Sequence, residues 1–317
     1  MQTAIPVTAD NFVRAETDMY FGNIVKDGGF GKFYHNRELA PLDHQTVIRM
    51  NRDTLYSGAV FDLDAGPVTI RLPDAGKRFM SMEVIDEDEY VVETVYGGSH
   101  TYTRENVDTR YVVAAIRTLI DPTDAADAAR VHALQDAIKI EQRDAGRFEV
   151  PNWETESQKE TRAALLVLGK GLSGLKGMFG KRGKIDPVHH LIGAAAGWGG
   201  NPSEDAIYVG MFPPRNDGKA IYRFTVKDVP VDGFWSVIVY DKDGYIPKNE
   251  RNVYSFNSIT AKKDPDGSIT VQFGGCDGKT PNCIPTVPGW NYLVRLYRPR
   301  AEILSGKWKF PEAQLVN

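Results

Sequence analysis

Two blocks of strand-like alternation, held apart by a helical stretch, constrain this chain more than any other feature. In "PVTIRLP", Val68, Ile70 and Leu72 point one way, and Thr69 and Arg71 the other. That is the period of two expected of a half-buried strand. "RFMSMEV" sets Met80, Met82 and Val84 against Ser81 and Glu83 in the same manner. "EYVVETVY" is a further β-rich run, and Gly66, Pro67, Pro73, Gly76 and Gly97 punctuate the series. The alternation opens at Val47, so residues 45–120 read as a small antiparallel sandwich. Residues 11–26, "NFVRAETDMYFGNIVK", carry apolar side chains near helical spacing and predict a leading helix.

The pattern then changes. "DPTDAADAARVHALQDAIKIEQ" offers caps at Asp121 and Thr123, acids in its first turn and an Ala-rich body. "ETESQKETRAALLVLGKGL" predicts a second helix. "DPVHHLIGAAAGWGG" predicts a short third one, ended by Gly197, Gly199 and Gly200. From Ala206 strands return in "AIYRFTV", "GFWSVIVYD", "VYSFNSI", "SITVQFG" and "NYLVRLYRP", with turn signals at "DKDG" and "DPDG". The expected fold is mainly β with a helical insert, divided at 1–120, 121–200 and 201–317. A chain of 317 residues suits more than one domain.

Charge narrows the partners. The net charge is −4, whereas nucleic-acid and anionic-membrane binders show a basic excess or a basic stripe. The one basic cluster, Lys176 to Lys184, lies in a Gly-rich stretch and reads as a solvated loop. No apolar run reaches the ~18–20 residues of a spanning helix, so no membrane insertion is expected. The opening "MQTAIPVTADNF" lacks the apolar core of a signal peptide, while Gln2 would suit the start of an exported mature chain.

Familiar cofactor and metal signatures fail on context. "GKGLSG" (Gly169, Gly171, Gly174) matches GxGxxG, but no strand-helix-strand series surrounds it, so it reads as a loop. Of the six histidines, His189 and His190 are adjacent on a helix and do not share a face. "DKDG" at Asp241 lacks the later acids of a calcium loop and reads as a turn. No cofactor and no metal are expected. Cys276 and Cys283, in "CDGKTPNC", leave two readings open: a disulfide across a turn-rich loop, or two reduced thiols.

The chemistry-bearing run is "MNRDTLYSG", residues 50–58. Asp53 and Tyr56 are the acid/base candidates, with Arg52 beside them to hold an anion. On a straight strand residues 54 and 56 point together and 53 points away, so Asp53 and Tyr56 share a site only if the strand starts after Asp53 or bulges there. The C-terminal strands add Trp235, Tyr240, Arg295 and Tyr297. With Asn51 and Thr54 these form the substrate-binding set, although Phe234 and Trp235 also suit a core. Leu293, Arg295 and Tyr297 share one strand face. An arginine there is costly to bury unless paired. A structural salt bridge and a carboxylate clamp both fit.

These residues carry a likeness. "MNRDTLYSGAVFDL" through "GPVTIRLPDAGKRFMSMEVID" resembles domain-of-unknown-function family 1254. "VDGFWSVIVYDKDGYIPKNERNVYSFNS", "DPDGSITVQFG" and "GWNYLVRLYRPRAEILSGKWKFPEAQLV" resemble family 1214. The resemblance implies an immunoglobulin-like sandwich, then helices, then a jelly-roll-like sandwich. It implies no settled activity. It also implies export, with a periplasmic or secreted location favoured over the cytoplasm, and it favours the Cys276–Cys283 bridge. Where relatives carry Asn-Trp-Leu-Pro, this chain has Asn282-Cys283-Ile284-Pro285.

Three functions are compatible. The favoured one is an enzyme, hydrolase- or lyase-like, acting on a small organic substrate through Tyr and Asp acid/base groups and Arg anion stabilisation. The alternative is a non-catalytic envelope module that binds a saccharide or small carboxylate. In the third, Asn51, Asp53 and Thr54 only brace a junction. A homo-oligomer is compatible with each.

Overall fold

The computed structural model describes residues 3–45, 49–172 and 176–316. The expected strand onset at Val47, the Gln2 start and Gly174 of the glycine run lie outside the described residues. The chain divides into two compact units. The first comprises residues 1–37, 55–120 and 126–203; the second comprises 38–54, 121–125 and 204–317. Most of the expected 121–200 insert is thus part of the first unit, and residues 38–54 belong with the C-terminal strands.

The first unit contains α1 (Phe12–Lys26), β1 (Tyr34–His35), β2 (Thr54–Asp62), β3 (Val68–Leu72), β4 (Met80–Asp86), β5 (Val91–Val95), β6 (Gly98–Tyr102) and α2 (Arg104–Val107). It continues through β7 (Tyr111–Leu119), α3 (Asp127–Asp136), β8 (Lys139–Glu141), α4 (Thr155–Gly169) and α5 (Pro187–Gly197). A five-stranded sheet, β1-β2-β7-β4-β5, packs on a three-stranded one, β6-β3-β8. Phe61, Val68, Ile70, Met80, Met82, Val84 and Ile116 fill the space between them. The alternation of β3 is the expected one, with Val68, Ile70 and Leu72 buried.

β4 departs from a half-buried strand, because all seven of its residues are buried. Its Met face meets the smaller sheet. Its other face lies under the helical layer, where Phe21 of α1 and Trp198 pack with Val60, Ile85 and Val113. Ser81 and Glu83, expected on the outer face, are therefore sealed. The Ala-rich helix is also shorter than its sequence suggests. The side chain of Asp121 turns on Thr123 instead of capping α3. The helix ends at Asp136, and Ile140 is drawn into β8 opposite Ile70. Asp186 caps α5 as its sequence implies, accepting from the amides of Val188 and His189 with Pro187 in the first turn.

The second unit is a two-sheet sandwich. Its elements are β9 (Ala206–Met211), β10 (Tyr222–Val226), β11 (Trp235–Tyr240), β12 (Ser255–Asn257), β13 (Ile269–Phe273), β14 (Cys283–Ile284), β15 (Asn291–Tyr297), α6 (Ala301–Leu304) and β16 (Gln314–Leu315). The sheets run β14-β13-β10-β16 and β12-β11-β15-β9. Trp235, Val237, Val239, Phe224, Phe273, Trp290 and Tyr292 form the core between them. The expected five strands are all present. Sequence alternation missed β9, whose "AIYVGM" pairs with β15. Among the described residues, no helix is long and apolar enough to cross a membrane, and no group of three or more His, Cys, Asp or Glu could hold a metal.

Candidate functional site

The second unit gathers most of the sequence candidates, and register explains how. Antiparallel pairing sets Asn257 opposite Ser236, Ser236 opposite Arg295, and Arg295 opposite Tyr208. Paired residues project to the same side of a sheet. The four therefore form one row across β12-β11-β15-β9, on the face turned away from the sandwich core. Trp235 is one residue out of step. It lies in that core against Phe224 and Phe310, so its place is the core rather than the face that carries Arg295.

Residues 38–45 and 49–54 cover part of this outer face. Met50 packs with Ile238, Tyr240 and Ile246, joined by Ala40 and Leu42. Polar bonds fasten the segment. Tyr240 donates to the carbonyl of Met50 (2.7 Å), and Arg295 Nη2 donates to the carbonyl of Arg49 (2.6 Å) and to the Tyr240 hydroxyl (2.9 Å). Gln45 exchanges two bonds with the main chain of Ile246. Asp53 accepts from Asn257 Nδ2 (3.1 Å). Asn51 accepts from the Asp53 amide and donates to Thr54 and to the Tyr297 hydroxyl. The Tyr297 ring stacks on Phe234 at 4.4 Å. Arg52 donates to the Ala40 carbonyl and lies over the Tyr254 ring.

This cluster is closed. Asp53 is 1% exposed, Arg295 3% and Tyr240 0%. Three of its buried atoms, Asp53 Oδ2, Ser236 Oγ and Arg295 Nη1, lack a hydrogen-bond partner among the described residues. Burial pushes the Asp53 carboxyl up, against the pull of the Arg295 charge and the Asn257 hydrogen bond. Burial also opposes the charge on Arg295, but Tyr240, Tyr297 and Asp53 outweigh it and hold the guanidinium above its ordinary range. The described bonds of Arg295 go to one main-chain carbonyl and one tyrosine hydroxyl, with no carboxylate among them.

The first unit holds a second constellation. β2 begins at Thr54, after Asp53, which meets one condition that strand parity set. Tyr56 is half-buried, and the Arg117 guanidinium lies 5.7 Å from its ring centre. Arg117 Nη1 donates to Glu83 Oε2 (2.7 Å), and Nη2 donates to the carbonyl of Gly199 (3.2 Å). Glu83 is fully buried. Nearby on the same sheet, His35 stands opposite Ser57 with Nδ1 2.7 Å from its hydroxyl, and Gln135 Nε2 approaches that hydroxyl at 3.2 Å. Burial, aided by Arg37, lowers the His35 pKa and favours the neutral ring.

Arg117 and His35 were missed. Arg117 had a signal, as the one charge in "YVVAAIRTL"; a charge inside an apolar run asks for a buried partner. His35 sits on a two-residue strand and had none.

Two further features lie outside both clusters. Cys276 and Cys283 form a disulfide, with Cα atoms 5.6 Å apart. A cleft of about 220 Å³ opens beside it, lined by Asn249, Glu250, Arg251, Thr286 and glycines 274 and 275.

Comparison with known proteins agrees with this architecture. The crystal structure of the VPA0106 protein from Vibrio parahaemolyticus is 19% identical, covers 96% of each chain and superposes with a TM-score of 0.72. An uncharacterised protein from Burkholderia cenocepacia is 12% identical, with 96% of this chain and 86% of that one covered, at a TM-score of 0.54. Both likenesses concern the fold alone. No curated protein matches the chain. Family models for two proteins of unknown function match residues 30–107 (DUF1254) and 214–301 (DUF1214). The chain therefore matches DUF1254 in its N-terminal half and DUF1214 in its C-terminal half.

Proposed function

We propose that the protein is an acid–base enzyme, hydrolase- or lyase-like, acting on a small organic substrate at Tyr56. The observation that carries this reading is the Tyr56–Arg117–Glu83 set. A half-buried phenol lies beside a guanidinium that a buried carboxylate holds in place. A phenol so placed transfers a proton. The adjacent cation stabilises a carboxylate or a developing oxyanion. Glu83 fixes the arginine and keeps its charge. Asp53 and Arg295, closed inside the second unit, serve the fold in this account, and Arg52 is spent on Ala40 and Tyr254. The Cys276–Cys283 disulfide supports an oxidising location, periplasmic or extracellular.

The test is conversion. The protein is incubated with a panel of small esters, lactones, hydroxy acids and glycosides, and products are followed by mass spectrometry. A converted compound is expected, with turnover reduced at least about 100-fold in Tyr56→Phe, the scale of a lost acid–base group. Binding without conversion would favour the alternative, a non-catalytic module for a saccharide or small carboxylate. Turnover unchanged in Tyr56→Phe would remove the role of Tyr56.

A further inference from the structure

α4 is divided along its length rather than around its circumference. Its first half, "TESQKETR", is polar, and its second half, "AALLVLG", is apolar. Of that second half only Leu165 is buried. Leu166 is 42% exposed, Val167 60% and Leu168 65%. Three consecutive helical residues span more than half of the helix circumference at 3.6 per turn. The end of α4 therefore presents aliphatic side chains on most of its sides, largely uncovered among the described residues. Val188, also 60% exposed, adds to the same region. It lies one turn before Ile192, whose Cγ2 approaches Gly169 at the end of α4.

Lysines follow this apolar end closely along the chain. Lys170 follows the helix directly. Met178 and Phe179 pack with Leu165 and Ile192, and Lys176 and Lys181 flank those two residues in sequence. Lys184 lies three residues before the start of α5, whose first turn carries Val188. All four are exposed, and among the described residues none makes an ion pair. Between residues 163 and 190 there are five basic residues and one acid, Asp186, in a chain whose net charge is −4. Arg182 is the one basic residue engaged, by Asp86 and Asp88.

We infer that this end of the first unit is a docking surface for an anionic lipid bilayer. The aliphatic tip enters the boundary between headgroups and acyl chains, and the lysines meet lipid phosphates. Apolar burial and lysine–phosphate attraction add in such contacts. Screening at physiological salt confines the interaction to about 8 Å, so the local positive charge decides it rather than the net negative charge of the chain. A second copy docking through the same face is disfavoured, because a two-fold contact would bring the two lysine sets together.

The test is co-sedimentation of the full chain with vesicles of phosphatidylcholine containing phosphatidylglycerol, and with phosphatidylcholine alone. We expect binding to the anionic vesicles, at least tenfold weaker binding to the neutral ones, and release when salt is raised from about 0.05 M to about 0.5 M. The double variant Val167→Gln/Leu168→Gln replaces exposed residues with a good helix former, and should lose at least tenfold in vesicle affinity with its circular dichroism unchanged. Lys170→Glu/Lys184→Glu should abolish binding to anionic vesicles. Absence of sedimentation with anionic vesicles, or affinity unaffected by either variant, would overturn the proposal. So would a dimer in light scattering that Leu168→Gln dissociates.

Discussion

Arg295 donates to the main-chain carbonyl of Arg49 across 2.6 Å. A buried cation on β15 thereby fastens the segment that carries Asn51, Arg52 and Asp53. The same guanidinium reaches Tyr240, which holds the carbonyl of Met50. The polar residues that make "MNRDTLYSG" conspicuous thus divide between two tasks. Those up to Thr54 stitch residues 38–45 and 49–54 to the outer face of the C-terminal sheet, while Tyr56 belongs to the first unit.

Removing the cation should be costly. Arg295→Met leaves Asp53 buried beside Asn257 with no counter-charge, and should lower the unfolding free energy by about 3–5 kcal/mol. Arg295→Lys keeps the charge but loses the planar guanidinium that sets Nη2 against both acceptors, so a smaller loss of about 1–2 kcal/mol is expected. Urea unfolding followed by fluorescence measures both.

Asp18 gives a pH-dependent signature. It accepts from Trp153 Nε1 at 2.8 Å. Burial raises its pKa from 3.8 to about 6, against that bond, with Glu87 and Asp88 adding to the rise and Arg14 opposing it. A raised native value means that the folded state binds the proton more tightly than the unfolded chain. The contribution is complete below about pH 4 and is lost as pH rises through about 6. Asp18→Asn keeps the acceptor for Trp153 and removes the titration. Relative to this variant, the wild type should lose about 2–3 kcal/mol of stability between pH 4 and pH 7, at about 1.4 kcal/mol per pKa unit. Urea midpoints at several pH values in that range report it, and parallel curves for the two proteins would rule it out.

The disulfide closes a short loop, its cysteines seven residues apart. Loop-closure entropy for so small a ring amounts to about 2–3 kcal/mol. Cys276→Ser/Cys283→Ser should lose that much stability. The wild type in excess dithiothreitol should show the same shift, and the variant should not respond to the reductant.

Much of the second unit was legible because its strands alternate cleanly. Period two set Arg295 and Tyr297 on one face and Val294 and Leu296 on the other, and the core confirms that division. What alternation cannot supply is the identity of the layer above a face. Asp53 meets Asn257 across 204 positions of sequence, and no local pattern encodes that distance. In the sequence Glu83 is the charge on the polar face of an alternating strand. Its burial, however, depends on α1 and on Trp198, which cover a strand face that looks polar enough for solvent. The early end of α3 has a similar origin, because pairing with β3 outweighed the helical propensity of "IKIE".

A double-mutant cycle between Asp53 and Arg295 addresses the central claim most directly. Unfolding free energies are measured for wild type, Asp53→Asn, Arg295→Met and the double variant. If the two residues form one fastening, the double variant should be less destabilised than the sum of the singles. The coupling should be about 1–3 kcal/mol, the size expected of two interacting buried groups. Strictly additive losses would contradict the account, since Asp53 and Arg295 would then hold the segment independently.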